Sequence, residues 1–164
     1  TFKLPASTNR IAKAGTKARH EDKMNIELIT LDPGHFHAAL IQREHYPNTA
    51  SRVHVYAPLG QDLVDHLARV VRFNQRKDNP THWSVDVHAG PDFLAQLQRE
   101  KPGNVVIISG RNRGKIDRLL AIVRGGFHVL ADKPWIIEHA ELPQLKSAIY
   151  SFGTSKPFKI ESMR

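Results

Sequence analysis

Phe127–Trp135, FHVLADKPW, is the stretch that decides the reading of this chain. Val129–Ala131 is an apolar run that passes directly into Asp132-Lys133-Pro134. Upstream lie a second apolar run, Val105–Ser109, and a segment with helical spacing, Lys115–Arg124. Strand, crossover helix and strand make a βαβ unit, whose two strands pair in parallel. In open α/β sheets, ligands bind beyond the carboxyl ends of the strands. Lys133 is therefore expected at a ligand-binding edge, with Pro134 stopping the strand and stiffening the turn. A lysine there can donate a proton or bind an anion. A solvated lysine at a strand end is the plainer reading of the same residue.

The same alternation extends outward. Asn25–Leu31 (NIELITL), Arg52–Ala57 (RVHVYA), Trp83–Val87 (WSVDV), Asn104–Ser109 and Phe127–Ala131 read as strands. Between them, Phe36–Glu44, Gln61–Gln75, Pro91–Glu100 and Lys115–Arg124 read as helices, and Ile136–Tyr150 as a last one. Leu63, Val64, Leu67, Val70 and Val71 recur at helical spacing. Gly125-Gly126 stands where a helix C-cap belongs. Pro157–Met163 is a candidate sixth strand. Strands that are apolar on both faces are buried on both faces, so the expected fold is α/β, a doubly wound parallel sheet with helices on both sides.

Bulk properties bound the rest. The 164 residues suit one domain. There is no cysteine, which removes disulfides, thiolate metal sites and a cysteine nucleophile. No apolar run reaches the roughly 18 residues of a membrane span, so no membrane partner is expected. The net charge of +8 suggests nucleic acid until it is placed along the chain. Residues 1–24 carry +4 and residues 151–164 carry +2, leaving +2 for 25–150. A basic excess in the ends is usually solvated, and nucleic acid is disfavoured as a partner. Residues 1–24 lack the apolar run of a signal peptide and read as a basic, disordered leader. A cytoplasmic location is favoured and a homo-oligomer is left open.

Candidate ligand residues follow from the turns. Gly34 precedes a helix whose N-terminus can face an anion, though it serves equally as a simple strand-to-helix turn. His35 stands beside that anion position. Arg111 and Arg113 offer guanidinium groups to a phosphate, against a solvated loop as the plainer reading. His35 and His37 lack a third placed ligand, and a zinc site needs three or four, so no metal site is expected.

At this point the residues resemble a known family. Asn104–Pro134, with its strand, polar turn, helix, Gly126 and His-Val-Leu-Ala-Asp-Lys-Pro, is similar to the N-terminal domain of the glucose–fructose oxidoreductase / inositol dehydrogenase (Gfo/Idh/MocA) family. The resemblance covers about residues 25–150. Asp132 replaces the usual Glu of a Glu-Lys-Pro turn, and of the usual Thr-Pro-Asn-His turn only Asn112 matches. It implies a Rossmann fold (residues 25–150) that binds NAD or NADP, with residues 151–164 a tail or the start of a further strand. The implied cofactor contacts are Gly34, His35, Phe36, Arg111, Asn112, Asp132, Lys133 and Pro134. Lys133 is the implied catalytic residue, orienting or protonating the reacting oxygen of a sugar or polyol, with burial tuning its proton affinity.

Two departures bear on the cofactor. The glycine loop, normally G-x-G-x-x-G, is Leu31-Asp32-Pro33-Gly34-His35-Phe36-His37-Ala38, where only Gly34 fits. The second strand ends Ala57-Pro58-Leu59-Gly60, with no acid for ribose hydroxyls. The family's substrate domain is also not among these residues, so a small-molecule substrate belongs to a longer parent. The rival expectation is a non-enzymatic Rossmann-like ligand-binding or interaction module.

Overall fold

The computed structural model describes residues 25–152 and 161–162. The expected leader, 1–24, lies outside the described residues, as does most of the candidate sixth strand. The strands are β1 (Ile26–Leu31), β2 (Thr49–Ala57), β3 (Ser84–Ala89), β4 (Val105–Ile108), β5 (His128–Ala131) and β6 (Glu161–Ser162). All pair in parallel, in the order β3-β2-β1-β4-β5-β6. The chain builds outward from β1 to β3, then crosses back to lay β4 against the other side of β1. That reversal is the topological switch point of a doubly wound sheet.

Side-chain alternation along each strand explains the two-sided core. Ile29 and Leu31 face one side, with Val106, Ile108, Val129 and Ala131, under helices α2 (Phe93–Glu100) and α3 (Lys115–Arg124). Leu28, Val53 and Ile107 face the other, with Val70 of helix α1 (Gln61–Gln75) and Trp83. A final helix, α4 (Leu142–Phe152), brings Leu145 against Ile116 and Leu120. Each fully buried aliphatic side chain stabilises by roughly 1.5–3 kcal/mol, so the apolar strands dominate folding.

Several local expectations differ from the structure; the last helix, expected from Ile136, opens only at Leu142, after a 3₁₀ turn at His139–Glu141. Phe36–Arg43 is a 3₁₀ helix, not an α-helix. It has no acid in its first turn and no side-chain cap, but α2 shares both features and is α-helical, so they do not account for the tighter form. Trp83 precedes β3; its indole N–H donates to the Gln42 carbonyl at 2.7 Å, which fixes it as a buried plug. In α1 the buried face is Leu63, His66 and Val70, while Val64 and Val71 are exposed. The stripe centres on positions three and four apart from Leu63, and a neighbour one residue on is rotated out of it.

Candidate functional site at the carboxyl edge of the sheet

The turns after β1 and β4 are pressed together backbone to backbone. Asp32 adopts a left-handed conformation, with φ of 47°, and its N–H donates to the Tyr56 carbonyl at 2.8 Å. The His35 N–H donates to the Ser109 carbonyl at 3.0 Å, tying the first turn to the end of β4. A Cβ on Gly110 would lie 2.3 Å from the Asp32 carbonyl oxygen, and one on Gly34 would lie 3.0 Å from the Arg111 nitrogen. Both contacts involve backbone that cannot swing aside. We predict that Gly110→Ala lowers stability by about 1–3 kcal/mol, the usual cost of overpacking, read as a shifted urea midpoint. An unchanged midpoint would mean that the two turns can separate freely.

These turns enclose a cleft of about 340 Å³ lined by Gly34, His35, Gly110, Arg111, Asn112, Asp132 and Lys133. It sits over the carboxyl ends of β1, β4 and β5. A second cleft of about 220 Å³ adjoins it over the ends of β1 and β2, lined by Asp32, Pro33, Ala57, Pro58 and Leu59 through Leu63. Arg111 lines both. Its guanidinium grips Asp62 bidentately, at 2.9 and 3.1 Å, and this pairing holds the arginine's pKa above its ordinary value. The bridge is largely exposed, so solvent screens it and it yields readily to a stronger anion. Asp32, which could repel a phosphate, instead faces Arg118 at 3.4 Å. Arg118 also donates to the carbonyls of Arg111 and Arg113, both at 3.1 Å, and so shapes the loop after β4.

The floor of the larger cleft is a buried ion pair. Lys115, at the first turn of α3, is fully buried, and its Nζ lies 2.5 Å from Oδ1 of Asp132. Ser109 Oγ–H donates to Oδ2 at 2.7 Å. Burial pushes the Asp132 carboxyl up, but the hydrogen bonds from Lys115 and Ser109, with the charge of Lys115 and then of His35, outweigh it. The net result is a carboxyl below its ordinary 3.8. The imidazoles of His35 and His37 both turn toward the same carboxylate, each Nδ1 lying 3.5 Å from Oδ2.

The site residues named from sequence thus distribute as follows. Gly34, His35, Arg111, Asn112, Asp132 and Lys133 come together in one cleft. Phe36 is half exposed and borders a small crevice of about 50 Å³ with Asp62, Asp65 and Arg69. Pro134 is exposed outside the cleft lining, and its peptide bond to Lys133 is cis. Trp135 packs its ring against the core. Lys133 is exposed and, among the described residues, pairs with no carboxylate. The burial expected of it belongs to Lys115 instead, because the side chain after Asp132 points out past the end of the strand. Lys115, Ser109, Gly110 and Arg118 were not read from sequence. A lysine, a serine, a glycine and an arginine near a helix start look like ordinary solvated turn residues, and only the fold brings them to Asp132 and Asp32.

No protein-family model and no curated protein matches the chain. Solved structures do. A proposed oxidoreductase from Parabacteroides merdae is 42% identical with a TM-score of 0.77, over 79% of this chain and 29% of that one. A proposed oxidoreductase from Thermotoga maritima matches at 12% identity and a TM-score of 0.58, over 84% of this chain and 38% of that one. Biliverdin reductase from Synechocystis, solved with biliverdin and NADP+, matches at 12% identity and 0.53, over 85% and 37%. The fold is doubly wound α/β. The two distant likenesses carry the fold alone. The chain spans less than two fifths of the length of each of the three. Among the described residues, no helix is long and apolar enough to cross a membrane.

Proposed function

We propose that this chain is the nucleotide-binding domain of an NAD(P)-dependent oxidoreductase of the Gfo/Idh/MocA type. Its substrate is a sugar, polyol or related hydroxy compound, and a further domain completes the substrate side. The observation that carries this reading is the meeting of Gly34, Gly110, Arg111, Asn112 and Lys133 in one cleft at the switch point of the sheet. The 42% identity to a proposed oxidoreductase supports it.

The residues present fit a dinucleotide along the two adjoining clefts. Gly34 and Gly110 keep side chains away from the crossing of the two turns. Arg111, between the clefts, would release Asp62 and take a phosphate in bidentate fashion. Lys133, exposed and without a carboxylate partner among the described residues, would orient or protonate the reacting oxygen of the substrate. A bound nicotinamide would supply hydride acceptance or donation. Some features weaken the grip. The His35 N–H is taken by Ser109, the first helix is 3₁₀ rather than α, and no acid ends β2. These features favour the rival reading of a non-enzymatic ligand-binding module.

Calorimetric titration with NAD and NADP separates the two. We expect dissociation constants on the order of 0.1–1 mM, or roughly 4–5.5 kcal/mol, with NADP bound no worse than NAD. Asp62→Asn, which frees Arg111, should tighten NADP binding. Absence of binding by both nucleotides would favour the rival. Micromolar NAD binding with rejection of NADP would contradict the assignment of Arg111.

A further inference from the structure

We propose that His35, His37 and Asp132 form a binding site for one divalent transition-metal ion of the zinc class, with an open coordination position toward the cleft. The inference goes beyond the nucleotide-binding reading and does not depend on it.

The three candidate ligand atoms lie within 4.8 Å of one another. Each histidine Nδ1 is 3.5 Å from Asp132 Oδ2, too long for a good N–H···O hydrogen bond, and neither imidazole makes one there. Ligand atoms about 2.0–2.2 Å from a tetrahedral ion are separated from each other by about 3.4 Å. The 3.5 Å between each nitrogen and Oδ2 matches the separation of two ligands that share an ion. The two imidazoles stand edge to face, with ring centres 4.3 Å apart, and the Phe36 ring packs against both.

The carboxylate is built as a ligand is. Asp132 is only 4% exposed. Lys115 holds Oδ1 and Ser109 donates to one lone pair of Oδ2, which fixes the plane of the carboxylate and leaves the other lone pair of Oδ2 toward the histidines. Such outer partners orient metal-binding carboxylates. Two neutral nitrogens and one oxygen suit zinc, cobalt or nickel and are too few and too soft for magnesium or calcium. Three protein ligands leave a fourth position for water or a substrate oxygen. The nearby Lys115 ammonium opposes a second cation, so the affinity should be micromolar rather than tighter.

The test is a titration of chelator-treated protein with cobalt(II) and zinc(II), with no nucleotide present. We expect one equivalent to bind, with the visible absorption of tetrahedral cobalt, and zinc to displace it. His35→Gln and His37→Gln should each weaken binding roughly tenfold or more. Both side chains are partly exposed, so the variants should fold, and unchanged melting in the absence of metal confirms it. His54 and His88, whose ring nitrogens lie 3.3 Å apart, provide the control. If binding survives the double His35/His37 variant and is lost in His88→Gln, the ion sits elsewhere and the proposal is wrong. No binding to the wild-type chain would also overturn it.

Discussion

Lys115→Met is expected to lower the stability of the domain by about 3–5 kcal/mol. The lysine is fully buried and bonded to Asp132, which is itself shut from water. Removing the ammonium leaves a buried carboxylate whose remaining direct hydrogen bond is from Ser109. Breaking one side of a buried pair costs more than the pair is worth, because the desolvated survivor has no countercharge. Removing both charges is far milder. Lys115→Met with Asp132→Asn should recover about half the loss or more, since an amide can still accept from Ser109. Urea unfolding at constant slope measures both. A loss below about 1 kcal/mol for the single variant would mean that Lys115 can swing out to water.

His66 should make the domain sensitive to mild acid. It is 2% exposed on the inner face of α1, and burial, with help from Arg69, pushes its pKa down from 6.5 to about 4. Its Nε2 finds no hydrogen-bond partner among the described residues. Between these values the unfolded chain binds a proton that the folded one refuses, so stability rises with pH across the interval. The contribution is fully present above pH 6.5 and is lost progressively as pH falls toward 4. The loss amounts to about 3 kcal/mol. Asp132 acts in a lower window: its carboxyl lies below 3.8, so its contribution is intact above that value and is lost only in stronger acid. Unfolding measured from pH 7 to pH 4 should therefore show a slope that His66→Leu flattens. A variant with the wild-type slope would move the effect to other groups.

Both predictions turn on residues that the sequence presents as unremarkable. The strands were legible because Val105–Ile108 and Val129–Ala131 are apolar on both faces, the pattern of a parallel sheet buried on both sides. Helices α1 and α3 were legible to the residue, from their apolar spacing and from the turn residues that bound them. The cleft was legible in part, because Gly34, Asn112 and Lys133 all follow strand ends and strand ends of a parallel sheet share one edge. Lys115 was not, since a lysine opening an amphipathic helix is normally solvated, and here the fold closes β5 over it. Nor was the convergence of His35 and His37 on Asp132, which follows a strand two places away from β1 in the sheet. His66, a histidine between Leu63 and Val70, carries no sign of its burial in the sequence, because the neighbouring 3₁₀ segment that packs on the helix is what covers it.

The cleft at the switch point is expected to take a nicotinamide dinucleotide. Nitrogen-15 NMR of the chain titrated with NADP tests it most directly, because it reports place as well as affinity. The expected result is a set of saturating shifts at the amides of Gly34, Gly110, Arg111, Asn112 and Lys133, with a dissociation constant on the order of 0.1–1 mM. Shifts confined to another face, or none at these five amides at saturating nucleotide, would contradict the account.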